Sequence, residues 1–199
     1  MDRTIDYYLA PQSPWTYLGH QRLADIADKA GAQIRVRPVD LGGKIFPVSG
    51  GLPLQQRAAQ RQAYRLLELA RHSEHLGLPL NLHPKYFPVP GDEASRLIIA
   101  TDLEQGGVAA MRLAGAVLAA VWVQERNIAD RQLLAALLQE CQLPAQGLER
   151  AQSPEIQALY EAYTQEAIAK GVFGAPSYLV DGELFWGQDR LDFLARRLG

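Results

Sequence analysis

Strand-like segments in this chain stand only near its two ends, and that separation constrains the fold more than any other feature of the sequence. Ile5-Asp6-Tyr7-Tyr8-Leu9 reads as a strand ending at Ala10-Pro11-Gln12. A helix follows at once. Ser13 is a favoured N-cap, Pro14 suits the first helical position because its missing N–H would lack a partner there, and Gly31 closes the pattern. Tyr17, Leu18, Leu23, Ile26, Ala27 and Ala30 form its apolar stripe. Ile34 to Val39 is a second strand, which a right-handed crossover sets parallel to the first. At the other end, Ser177–Val180 and Glu183–Trp186 flank Asp181-Gly182, the pair that a type I′ hairpin turn demands. A last helix runs from about Arg190 to Leu198, with Arg196 and Arg197 near its negative end.

Between these ends the texture changes twice. Gly42, Gly43, Pro47, Gly50, Gly51 and Pro53 mark a long irregular connection, a kind of segment that commonly carries function. The chain is then helical: Leu54 to about Leu76, about Glu93 to Gln105, Val108 to Glu125, Arg131 to Gln142, and Pro154 to Ala169. Pro79, Pro84, Pro88, Pro90 and Pro144 fall between those segments. The order βαβ, helices, αββα predicts an α/β thioredoxin-like fold with an inserted all-helical domain. Residues 1–45 and 160–199 make the thioredoxin-like part and 46–159 the insertion.

Composition narrows the function classes. Hydrophobic residues are 48% and charged residues 21%, values of a packed globular chain of 199 residues. With a net charge of -2 and no dense Lys/Arg cluster, nucleic acid is not an expected partner. The apolar run Leu113 to Val123 is shorter than the roughly 20 residues that cross a bilayer, so no membrane insertion is expected. Met1 to Asp6 carries no apolar leader pattern, and the single cysteine, Cys141, allows no internal disulfide. A reducing cytoplasm is the expected setting.

Two short segments carry the chemistry. A Ser-Pro pair after a strand is by itself an ordinary helix start. In thioredoxin-like proteins, however, the first helix opens with a reactive Cys followed by Pro, where free N–H groups and the helix dipole favour a thiolate. Ser13-Pro14-Trp15-Thr16 holds that place with both cysteines absent, so the site has no thiol of its own for redox exchange. The second segment is Gly174-Ala175-Pro176, just before the hairpin. Thioredoxin relatives place a cis proline there, and Ala175 would then offer backbone groups with which an extended peptide pairs as an added strand.

These residues, with others, resemble a known family. Ser13-Pro14-Trp15-Thr16-Tyr17-Leu18, Arg57 through Tyr64 ahead of the Leu-Gly-Leu-Pro ending at Pro79, Gly171-Val172-Phe173-Gly174-Ala175-Pro176, and Trp186-Gly187-Gln188-Asp189-Arg190 are similar to segments of the 2-hydroxychromene-2-carboxylate isomerases and kappa-class glutathione transferases, relatives of DsbA. The resemblance implies a glutathione-dependent isomerase of a small aromatic substrate, in which a glutathione thiolate adds to an unsaturated carbon and leaves unchanged. It implies that Ser13 hydrogen-bonds the glutathione sulfur and that Ala175 pairs with the cysteinyl part. Gln188 and Asp189 would grip the γ-glutamyl end, and Arg61 would meet the glycine carboxylate. Relatives often carry an Asn near the loop that here reads Ser49-Gly50-Gly51-Leu52-Pro53; none is present. A backbone group takes over that contact, or the tripeptide is held differently.

Some alternatives stay open. A kappa-class transferase or peroxidase would consume glutathione, and a catalytically silent thioredoxin-like module would only bind. Arg61, placed among Arg57 and Arg65, also reads as part of a solvated face. His72 and His75 at i, i+3 lack further ligands for a metal, and Cys141 reads as a buried small hydrophobe. Tyr7, Tyr8, Trp15, Phe46, Phe87 and Trp186 default to core packing, with Trp15 and Phe46 the two expected near the second substrate. No general base stands out, and relatives suggest a homodimer.

Overall fold

The computed structural model describes residues 3–199; Met1 and Asp2, at the start of the segment read as lacking a leader, lie outside it. Strand β1, Thr4–Leu9, leads through a tight turn into helix α1, Pro14–Ala30, and on to β2, Gln33–Pro38. The hairpin strands β3, Ser177–Val180, and β4, Glu183–Trp186, complete one sheet of order β2-β1-β3-β4, with β2 parallel to β1 and the other neighbours antiparallel. The caps of α1 act as their residue types dictate. Ser13 is extended and its hydroxyl accepts from the Thr16 N–H, while Gly31 closes the helix at φ 61°. In the hairpin turn Asp181 and Gly182 both take positive φ, 49° and 83°, as a type I′ turn requires.

Helices cover the middle of the chain: α2, Phe46–Ser49; α3, Ala59–Leu76; α4, Asp92–Gln105; α5, Gly107–Trp122; α6, Arg131–Glu140; α7, Gly147–Arg150; and α8, Pro154–Ala169. After a single tight turn at Gln188–Arg190, α9 spans Leu191–Leu198. The connection expected to be irregular is partly coiled. Asp40 accepts from Lys44 and Ile45 N–H through its carbonyl and from Gly43 N–H through its carboxylate, winding Leu41–Ile45 into a wide helical turn. The helix expected from Leu54 instead breaks at Arg57 and Ala58, both extended, so that Leu54–Gln56 is an isolated turn and α3 begins at Ala59.

Buried side chains bind these layers. Tyr7 and Tyr178, paired across β1 and β3, stack with centroids 5.6 Å apart. The Tyr7 hydroxyl donates to His20 Nδ1 at 3.1 Å, and His20 Nε2 donates to the Met111 carbonyl at 2.8 Å, a line that ties sheet, α1 and α5 together. Asp6, 4% exposed, receives two hydrogen bonds from Arg35 (2.6 and 2.8 Å) and lies 3.4 Å from Lys170 Nζ, which fastens the end of α8 to the sheet. Residue 160, where the sequence reading returns to the thioredoxin-like part, lies inside α8. There Ile156, Tyr160, Tyr163 and Ala167 join one apolar cluster with residues of the sheet and of α4 and α5. We therefore propose the division into 1–45 with 160–199 and 46–159 as one of chain path within a shared core.

The His20 line gives a pH prediction. Burial holds the imidazole pKa below its ordinary 6.5, and the neutral ring is the folded form. Its contribution to stability is complete above about 6.5 and is lost as pH falls below that value, because the unfolded ring takes up a proton that the buried ring resists. Urea unfolding midpoints between pH 7 and 5.5 should fall more steeply for the native protein than for His20→Gln; equal slopes would contradict this role.

Candidate active site

The antiparallel register assembles the site. Ser177, the first residue of β3, pairs with Tyr8 near the end of β1, so the segment entering β3 meets the segment leaving β1. Ser13 at the start of α1 therefore faces Ala175, and Ser13 Oγ lies 3.4 Å from the Ala175 carbonyl oxygen, to which it donates. The Ala175-Pro176 peptide is cis, and among the described residues the Ala175 N–H has no hydrogen-bond acceptor. Both side chains are buried, at 8% and 7% exposure. The two bonds of the serine hydroxyl are long, 3.4 Å to Ala175 and 3.3 Å from Thr16 N–H, against roughly 2.8 Å for a strong O–H···O bond. A ligand anion at this helix start can take the hydroxyl proton with little loss elsewhere.

Ser13 and Ala175 lie in the wall of a cavity of ≈ 720 Å³, within the size range of small-molecule sites. Trp15 and Phe46, expected near a second substrate, line it, and so do Phe87, Phe173 and Trp186. The core default thus holds for Tyr7 and Tyr8, which are wholly buried, and in part for Phe87, which packs against the core and Trp122 as well as lining the cavity; it fails for Trp15, Phe46 and Trp186. Trp15 sets its edge against His72 at 5.9 Å, and Phe173 tilts on Trp186 at 4.8 Å. Cys141 is remote from this wall. Its thiol lies 4.0 Å from the Arg112 carbonyl, and burial pushes its pKa up.

Arg61 also lines the cavity, and so do Arg57 and Arg65. Arg61 is exposed, as a solvated face would have it, whereas Arg57 and Arg65 are half-buried. Arg57 donates from Nε to the Leu52 carbonyl at 2.8 Å, and its guanidinium stands 5.9 Å from the Phe46 ring centre. Arg65 lies over Phe87 and Trp122, at 5.3 and 5.8 Å. Burial, and then the neighbouring Arg57 charge, lower the Arg65 pKa to about 10. Among the described residues no Asp or Glu belongs to the cavity lining. Arg61 and Arg65 at i, i+4 on α3 were the available sequence signal, since that spacing puts them on one face; Arg57 precedes the helix.

Gln188 and Asp189 stand differently from the other expected residues: neither lines the cavity. Gln188 is 2% exposed and turned inward, its Oε1 accepting from Arg22 at 3.1 Å and its amide nitrogen meeting His72 Nδ1 at 3.0 Å. Asp189 is exposed and paired with Arg190 at 2.6 Å. Their turn is nonetheless attached to the site, because Gly187 N–H donates to the Pro176 carbonyl at 2.9 Å. Gly19 permits the close approach, since a Cβ there would lie 2.9 Å from both Gln188 Cβ and the Tyr178 hydroxyl.

A sheet of this order, a capped helix start and an opposing cis proline define a thioredoxin-superfamily protein of the DsbA type. The chain belongs to the DSBA-like thioredoxin domain family, whose model matches residues 4–199. The 2-hydroxychromene-2-carboxylate isomerase of Sphingobium xenophagum is 29% identical over 195 residues, covering 98% of this chain and 97% of that protein. Its namesake in Pseudomonas putida is 27% identical over 201 residues, covering 98% and 94%. A solved 2-hydroxychromene-2-carboxylate isomerase superposes with a TM-score of 0.80 at 26% identity, covering 98% of this chain and 94% of that one. The cytosolic disulfide reductase DsbM of Pseudomonas aeruginosa, at 20% identity, 98% coverage of both chains and a TM-score of 0.71, shares the fold. The resemblance read from the motifs is thereby established, and the isomerase naming of these relatives supports an enzyme of the isomerase class.

Ser13 caps α1 as well as lining the cavity. Replacing it with Ala should cost about 1 kcal/mol of stability, whereas Ser13→Thr should cost a few tenths, measured by chemical denaturation. A neutral Ser13→Ala would mean that the long Thr16 bond contributes nothing.

Proposed function

We propose that this chain is a glutathione-dependent isomerase of the 2-hydroxychromene-2-carboxylate isomerase type. The observation that carries the reading is the convergence of the Ser13 hydroxyl and the Ala175 backbone, 3.4 Å apart at a helix start whose position holds no thiol. The residues fit the tripeptide. Ala175 presents an N–H without an acceptor for strand-like pairing. Arg61, exposed at the cavity wall, suits the glycine carboxylate. Asp189, held only by its neighbour Arg190, suits the γ-glutamyl ammonium, while the inward side chain of Gln188 anchors the turn that carries it.

Bound glutathione supplies a nucleophilic thiolate to an unsaturated aromatic substrate and is recovered unchanged. The chain's own part is positioning and charge. Ser13 donates a proton to hydrogen-bond the sulfur, which with the α1 N-terminus favours the anion over the thiol. Trp15, Phe46, Phe87 and Trp186 provide apolar surface for an aromatic ring. A reducing, cytoplasmic setting and a homodimeric state belong to the same reading. Among the described residues no helix is long and apolar enough to cross a membrane.

Calorimetric titration with reduced glutathione should show binding, and the bound thiol should ionise at lower pH than free glutathione by ultraviolet thiolate absorbance. Ser13→Ala should raise that pKa by about 1 to 2 units. During turnover total thiol should stay constant, and its depletion would mean a transferase or peroxidase. No heat and no thermal shift at millimolar glutathione would leave a non-catalytic module.

A further inference from the structure

His72, set aside in the sequence as a metal ligand, is not part of the cavity lining. It nonetheless touches Trp15, which is, and Gln188, whose turn is bonded to the Pro176 carbonyl through Gly187 N–H. Helix α3, which carries His72, is lightly anchored: of its 18 residues only Leu69 is buried. The hydrogen bonds of Gln62 and Ser73 reach Arg57 and Leu78, just before and just after the helix, and Arg71 bonds Glu68 within it. Among the described residues the contact of Gln188 with His72, 3.0 Å long, is the one hydrogen bond between α3 and a distant part of the chain.

Arg22 decides which way that bond runs. A guanidinium only donates, so the Gln188 atom facing Arg22 Nη1 at 3.1 Å is the amide oxygen, and the atom facing His72 is the amide nitrogen. His72 Nδ1 is therefore the acceptor. The ring proton sits on Nε2, which lies 3.8 Å from a Glu68 carboxylate oxygen. Gln188 is 2% exposed, so without Nδ1 its amide N–H would be left buried and unpaired.

The bond joins two groups that stand far apart. Arg61 is near the start of α3, and His72 follows it by eleven residues, about 16 Å along the axis at 1.5 Å per residue. Asp189 comes directly after Gln188 in the turn that His72 holds. We propose that His72 is a positioning residue: by accepting from Gln188 it clasps α3 to the Gln188–Arg190 turn, and so fixes the span between Arg61 and Asp189, between which the tripeptide stretches. The ligand in this assignment rests on the glutathione reading, whereas the clasp rests on the hydrogen bonds alone.

The test compares native protein with His72→Phe and His72→Asn by calorimetry with reduced glutathione and by amide hydrogen exchange. Phe keeps an aromatic ring beside Trp15 but has no acceptor. Asn loses the ring, yet its side-chain oxygen is bonded to Cγ as Nδ1 is, and it can accept from Gln188. His72→Phe should bind glutathione about fivefold more weakly, the effect of one lost hydrogen bond, and the amides of residues 187–190 should exchange about fivefold faster. His72→Asn should stay within about twofold of native protein in both measurements. Should His72→Phe not fold, Gln188→Met removes the same bond from the other side and should weaken glutathione at least as much. Unchanged exchange in His72→Phe, or a His72→Asn protein as impaired as His72→Phe, would overturn the proposal. Native protein that shows no heat with glutathione would overturn the glutathione reading, and the exchange rates of the variants would still decide for or against the clasp.

Discussion

The pairing of β3 with β1 is the constraint on which the cavity depends. Three residue pairs, Asp6 with Leu179, Tyr7 with Tyr178 and Tyr8 with Ser177, set the start of one strand beside the end of the other. A one-residue slip would turn every side chain of the hairpin to the opposite face. Tyr178 would then leave the stack with Tyr7, and Ala175 would no longer lie against Ser13. Tyr7 carries the register further, since its hydroxyl reaches His20 and through it the Met111 carbonyl of α5. The arrangement that aligns the strands also presses α1, with Ser13 at its start, onto the helical layer.

Electrostatics then give the cavity its character. A helix start supplies partial positive charge at Ser13, and three guanidinium groups of the same sign line the cavity, with no carboxylate in its lining among the described residues. Several charges elsewhere are paired, Asp6 with Arg35, Arg126 with Glu140, and Arg197 with Asp181 and Glu183. In the cavity the three arginines stand among aromatic rings, which lower the local dielectric in which an anion would meet them.

Elements governed by neighbours in sequence were legible without coordinates. The Ser13-Pro14 start and Gly31 stop of α1, the Asp181-Gly182 turn and the span of α8 follow from backbone sterics and capping at single residues. The connection after β2 was less legible, because the wide turn at Leu41–Ile45 depends on Asp40 bonding through both its carbonyl and its carboxylate. Gln188 turns inward for a reason no local rule contains. Arg22 of α1 and His72 of α3 reach it from distant parts of the chain.

By itself the sequence determined the strands, the helix caps, the absence of thiols where relatives of the superfamily keep them, and the motifs that assign the family, because each is a property of adjacent or regularly spaced residues. Tertiary structure alone decided which of those residues share a cavity. It faced Ser13 with Ala175, brought Arg57, Arg61 and Arg65 to one cavity, and made lining of Trp15, Phe46 and Trp186, which could equally have been core. The physical reason is that burial and charge pairing are sums over neighbours from every packed element, and those neighbours exist only once long-range strand pairing and helix docking have brought the segments together.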